Sequence, residues 1–292
     1  MYLFVGPLDL IPGYTDWFCT GGSVYSIPPP SLVVSHPHRR RRPSLPSSRQ
    51  LSGRGQCSSR NTDFVYSSDG WIPINQDGNT YQFNSEGMQM VLVGPDSYNR
   101  LQEEDTGLPY NDASAVGATL ASDFYMLYGR VSATLKSSRV SGAITSFILL
   151  SDSGDEIDFE FFGGDSNHLQ TNYYYGGEEL FTVNGGLHSF DGINVVDDYH
   201  TYTIDWSPER IQWLVDDTVI RVREKSEACQ NGGVCKYPSS PARIQYGIWD
   251  SSFDAGTTQW ARGPIDWAVL NEYPTATVRQ ISVTCDSRYN DV

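Results

Sequence analysis

The chain has 292 residues, 39% hydrophobic and 13% aromatic with 27 Gly, which suits a turn-rich β protein: one large domain with a tail, or two small domains. Its net charge of −15 is uneven: residues 1–60 hold seven Arg against Asp9 and Asp16, and the remainder holds 13 basic and 33 acidic side chains. So acidic a body repels phosphate backbones and excludes nucleic acid as a partner, and no apolar run reaches the ~18–20 residues of a membrane-spanning helix.

The chain opens with "MYLFVGPLDLIPGY", whose apolar run is short, broken by Pro and Asp, and preceded by no basic residue. It does not make a convincing secretory signal. The stretch "SIPPPSLVVSHPHRRRRPSLPSSRQLSGRGQ" that follows is rich in Pro, Ser and Arg. Residues 1–60 are therefore expected to form a disordered basic tail, and residues 61–292 the folded domain. Beyond the tail come short alternating segments, among them "TYQFN", "MQMVLVG", "YGRVSATLK" and "AITSFILLS". Turn residues separate them, and no sustained 3.6-residue period appears, so the expectation is a large antiparallel sandwich.

"GDEIDFEFFGG" comes next, at residues 154–164. In an extended strand, Glu156, Asp158 and Glu160 share one face, and Ile157, Phe159 and Phe161 the other. Three adjacent anions repel one another, so the stripe calls for a use. A solvated edge strand would carry isolated charges, more often Lys, and a calcium site would also gather oxygens. Catalysis fits the spacing: the Cα atoms of Glu156 and Glu160 lie roughly 13 Å apart at about 3.3 Å per residue. Their side chains can close that to about 5–7 Å, near the ~5–5.5 Å of a retaining glycosidase pair. Asp158, shorter and between them, is expected to hydrogen-bond a neighbouring Glu and tune its ionisation.

Further along, "HLQTNYYYGG" puts Gln170 and Asn172 on one face of an adjoining strand, as amides suited to sugar hydroxyls. Trp206 and Trp213, in "YTIDWSPERIQW", are read as core. In "CQNGGVC", Cys229 and Cys235 bracket a Gly-Gly turn and can close a small disulfide loop. Cys57 and Cys285 flank the acidic body and can join its first and last strands, leaving Cys19 over. Such pairing implies an oxidising compartment; no CxxC or clustered His supports a metal, and no cofactor is expected. Finally, "IWDSSFDAGTTQWARGPIDW" supplies Trp249, Trp260 and Trp267. Their flat rings suit pyranose faces, with Trp249 equally at home in a core and Trp260 in a polar, Gly-rich loop. Tyr173, Tyr174, Tyr175 and Tyr246 are further candidate platforms for an acceptor sugar.

"DEIDFEFFG" resembles the signature of glycoside hydrolase family 16 in its unbulged form, ExDxE. The likeness extends through "QTN", "DYHTYTIDWSPERIQWLVDDTVIR" and "PARIQYGIWDSSFDAGTTQWARGPIDW", in order, over about residues 62–285. It is strongest toward the fungal Crh-type cell-wall transglycosylases. The resemblance implies a concanavalin-like β-jelly roll of two curved antiparallel sheets, with a cleft on one. It implies Glu156 as nucleophile, Glu160 as acid/base and Asp158 as auxiliary carboxylate, with Gln170, Asn172 and Trp249 lining sugar sites; Trp260 and Trp267 match less closely. The implied substrate is chitin or β-glucan, cleaved and transferred to glucan. A hydrolytic β-1,3(4)-glucanase and a silent lectin-like module are the alternatives. With no lipid-anchor signal in this chain, the expectation is a monomer outside the cell or in its wall.

Overall fold

The computed structural model describes residues 57–74, 79–178, 183–229 and 233–290. The expected basic tail lies, as far as residue 56, outside the described residues. The first strands are β1 (Arg60–Asp63), β2 (Trp71–Pro73), β3 (Tyr81–Asn84), β4 (Gly87–Val93), β5 (Arg100–Gln102) and β6 (Pro109–Asn111). Then come β7 (Val116–Gly117), β8 (Thr119–Ser122), β9 (Gly129–Lys136), β10 (Ala143–Ser151), β11 (Glu156–Phe162) and β12 (His168–Tyr174). The last are β13 (Gly186–Ser189), β14 (His200–Trp206), β15 (Arg210–Val215), β16 (Thr218–Glu224), β17 (Ala242–Asp250) and β18 (Thr275–Cys285). One short helix, α1 (Ala255–Trp260), lies between the last two strands.

Two antiparallel sheets carry the fold. The first runs β16-β15-β14-β9-β18-β4-β3, with β1 added on β18 and β7 on β4; the second runs β13-β12-β11-β10-β17-β8-β2. β5 and β6 pair apart from both. The alternation read in the sequence decides which side chains meet between the sheets. Ile157, Phe159 and Phe161 of β11 and Phe147 and Leu149 of β10 are fully buried there, against Val131, Ala133 and Leu135 of β9 and Tyr202 and Ile204 of β14. Tyr202 meets Phe161 edge-on at 4.6 Å, and Phe147 stacks on Phe159 at 6.1 Å. Each such apolar side chain contributes roughly 1.5–3 kcal/mol over its exposed state. Trp206 and Trp213 belong to this core, as the alternation predicts.

The first and last strands are neighbours: β1 pairs with β18, and Cys57 is bonded to Cys285 across 228 residues of sequence. The sandwich thus takes in Cys57, three residues inside the stretch read as tail. Cys229 is bonded to Cys235, closing the small loop. Glycine fixes where β11 stops. A Cβ on Gly163 would stand 2.0 Å from the Val140 carbonyl oxygen, and Gly164 adopts φ +74°, a left-handed turn that a side chain disfavours. No helix among the described residues is long and apolar enough to cross a membrane.

Candidate active site

β9 and β11 show how unusual the acidic strand is. In β9, buried Val131, Ala133 and Leu135 alternate with partly exposed neighbours, as in a sheet with one wet face. In β11 all seven residues are buried, the three acids included. Glu156, Asp158 and Glu160 retain 4%, 1% and 3% of their exposure. They lie on the face of the second sheet turned away from the core.

The register assembles the rest of that face. Glu160 stands opposite Gln170 on β12 and Ser146 on β10, and Ser146 opposite Gly247 on β17. Small residues therefore floor the sheet on one side of Glu160, and a Cβ on Gly247 would come within 2.8 Å of the Ala118 carbonyl oxygen. Asp158 stands opposite Asn172, and Glu156 opposite Tyr174. Asn172 donates from its amide to the Tyr174 hydroxyl at 2.5 Å and accepts the Tyr173 backbone N–H at 2.9 Å, which fixes its orientation.

One step past Glu160, the same face turns apolar. Ile144, Phe162, Trp249 and Ala261 form a small cluster apart from the main core, with Trp260 packed against it. Trp260 lies nearly parallel to Trp249, ring centres 6.0 Å apart, and its indole N–H donates to the Gln170 side-chain oxygen at 2.8 Å. The sequence put Trp260 in a loop. It is instead the last residue of α1, a helix started by Asp254, whose side chain accepts the Thr257 backbone N–H at 2.8 Å. Six residues are too few for a 3.6-residue period to show. Beside this cluster, Asp165 holds His168 at 2.9 Å and pairs with Arg262.

The structure brings together Glu156, Asp158, Glu160, Gln170, Asn172, Trp249 and Trp260. It places Trp267 elsewhere, flat on Gly94, where a Cβ would meet the ring at 2.7 Å, and partly buried against the main core. The rings of Tyr173 and Tyr246 also go to the core, which removes both as acceptor platforms. In "NYYY" the strand alternation decides: Tyr174 takes the acidic face and Tyr173 the opposite one.

Charge is the dominant stress at the site. Burial, followed by the Asp158 charge, pushes Glu156 well above the usual carboxylate range. Glu160 is pushed up likewise, by burial and then by Asp158 and Glu156. Burial raises Asp158 to about 7, against the opposing pulls of Arg221 and the Asn172 backbone amide. Neither Asp158 carboxylate oxygen has an N–H or O–H donor in close hydrogen-bonding geometry, and the Asn172 backbone amide acts on it from farther off. Three interacting acids titrate as a group, so near neutral pH they share protons.

Two contacts that serve this strand were not read from the sequence, one from Asp155 and one from Trp213, a residue placed only in the core. Asp155 accepts the Gly176 backbone N–H at 2.8 Å and those of Ser239 and Ser240 at 2.8 and 3.0 Å, tying two loops to the start of β11. Trp213 reaches from the other sheet and donates its indole N–H to the Asp158 carbonyl at 3.0 Å. The acid just before the stripe was legible as an acid, but its loop partners are distant in sequence.

Residues 74–269 match the family model Glycosyl hydrolases family 16. The chain is 42% identical over 180 residues to Crh-like protein 2 of Aspergillus fumigatus, covering 59% of this chain and 40% of that protein. It is 36% identical over 184 residues to Crh-like protein UTR2 of Candida albicans, covering 60% and 38%. It thus spans about two fifths of the length of these relatives. Among solved structures, Crh5 transglycosylase in complex with NAG is similar with a TM-score of 0.65 at 26% identity, over 80% of this chain and 86% of that one. Bacillus licheniformis β-glucanase shares the jelly-roll fold, with a TM-score of 0.62 at 22% identity over 79% of this chain and 99% of that one.

Proposed function

Because this chain belongs to glycosyl hydrolases family 16, we propose that it is a retaining transglycosylase of cell-wall polysaccharide, cutting chitin or β-glucan and passing the glycosyl unit to a glucan acceptor. The observation that carries this reading is the buried row of Glu156, Asp158 and Glu160 on a single face, with amides beside it and stacked tryptophans at its end. The likeness to Crh-like proteins and to the Crh5 transglycosylase supports the transfer chemistry. The two disulfides suit a protein working outside the cell or in its wall.

Glu156 attacks the anomeric carbon as the carboxylate while Glu160 protonates the departing oxygen, leaving a glycosyl ester on Glu156. Glu160, now ionised, takes the proton of the incoming hydroxyl, which displaces Glu156 and restores the original configuration. The reactive arrangement has Glu160 protonated and Glu156 ionised. Burial and the neighbouring charges keep a proton on the group at neutral pH, as general acid catalysis requires. Gln170 is held by the Trp260 indole and Asn172 by Tyr174, so both amides meet the sugar in fixed orientations. The Trp249–Trp260 pair supports an apolar sugar face.

Incubation with chitin oligomers and a labelled β-glucan acceptor, with products read by mass spectrometry, tests the reading. Labelled products longer than the acceptor are expected. Shortened oligomers with no elongated label would make the protein a hydrolase, and intact oligomers would remove the enzymatic reading.

A further inference from the structure

The strand beside the acids is gripped from behind. β12 turns Gln170, Asn172 and Tyr174 to the acidic face and Thr171 and Tyr173 to the interior. On β16, at the edge of the facing sheet, Arg221 and Arg223 reach those two inner residues. Arg221 donates from Nη1 to the Thr171 carbonyl and hydroxyl, both at 2.9 Å, and from Nη2 to the Asn184 carbonyl at 2.6 Å. Arg223 donates to the Tyr173 hydroxyl at 3.0 Å. The Arg221 guanidinium also stands 4.6 Å over the ring of Trp213, the same indole that donates to the Asp158 carbonyl.

We propose that Arg221 is a positioning residue for the carboxylate row, holding β12 and Trp213 in place from behind while setting a positive charge behind the strand that carries Asp158. This extends the reading given under Proposed function, that the row is catalytic. The guanidinium fork suits the task because it makes several directed bonds and keeps its charge in a partly buried place. An edge strand needs charged side chains in any case to resist pairing with other chains; here one is turned inward.

The other groups around Asp158 do not replace it. Glu156 and Glu160 flank it with like charge, and Asn172 and Tyr174 beside it on β12 are neutral. On β17, Arg243 turns to Ser122, donating to its carbonyl at 2.7 Å. Behind the sheet, Arg223 is engaged by Tyr173 and Glu227. His188, 2.9 Å from the Thr171 hydroxyl, is lowered to about 4 by burial and then by Arg221, so it is neutral at neutral pH.

The test needs no turnover, which separates it from the functional reading. In a Glu156→Gln/Glu160→Gln protein, Asp158 is the one acid left in the row, and carbon-13 NMR follows its carboxyl through pH. Asp158→Asn identifies the signal. Adding Arg221→Met should move the midpoint up by about one pH unit or more, and Arg221→Lys should leave it close to its starting value. Should Arg221→Met not fold, Arg221→Gln takes its place, keeping a donor without the charge. A folded uncharged variant with an unmoved midpoint would overturn the electrostatic half. In the active protein, Arg221→Lys, which keeps the charge but loses the guanidinium fork, should lower kcat several-fold with KM nearly constant; an unchanged kcat would overturn the positional half.

Discussion

The outward faces of β9 and β11 obey the same alternation and reach opposite ends. On β9, Ser132 pairs with Thr203 at 2.8 Å, Thr134 with Thr201 at 3.0 Å, and Arg130 with Asp205 at 3.2 Å. Each of these three outward groups finds a partner on β14, and the face stays partly wet. On β11 the outward polar groups are three acids, nearly dry, and neither carboxylate oxygen of the middle one has a donor in close hydrogen-bonding geometry. A polar ladder on a sheet need not be stressed; this one is, its acids buried and their carboxyl groups pushed up. Stability comes from the inner faces of both strands, and the outer face of β11 works against it.

The widest separation of the two faces should follow from Glu156→Gln. Turnover should fall by about 10⁴-fold or more, as for other nucleophile losses, while the melting temperature holds or rises because a buried charge is gone. Calorimetry beside a product assay checks both. The opposite failure comes from Phe159→Ala, one residue from two of the acids and fully buried. It should lower stability by about 3–5 kcal/mol through the cavity it leaves, measurable by denaturant unfolding.

Titration gives a smaller effect with a definite sign. Asp158 titrates at about 7 in the folded protein, against about 3.9 when unfolded. The folded state therefore holds the extra proton, so this group favours folding below about pH 4 and loses that contribution as pH rises toward 7. Glu156 and Glu160, raised in the same direction, add to it. Melting temperatures should decline from pH 5 to pH 8, and Asp158→Asn should flatten the decline; an equal slope in the variant would contradict the shift. The smallest change belongs to β9: Thr134→Ala should alter stability by no more than about 1 kcal/mol and leave turnover untouched.

How much of this was legible follows from what kind of signal each part leaves. The acid stripe and its greasy reverse are local and periodic, so strand and face could be read directly. Cys57 and Cys285 were readable because they bracket the body. Trp267 was not: a tryptophan in a loop carries no period, and its resting place is set by Gly94, far along the chain. Trp260 was assigned to a loop because one capped turn and a half of helix is shorter than any repeat. Arg221 looked like an ordinary edge-strand charge, since its partners Thr171 and Asn184 belong to the other sheet and its neighbourhood.

The most direct test of the central claim is to trap the glycosyl-enzyme. Incubation with a 2-deoxy-2-fluoro glycosyl fluoride of an accepted donor chain, followed by peptide mass mapping, should find one glycosyl unit on the peptide containing Glu156. A label on any other residue, or turnover giving inverted products, would contradict the account.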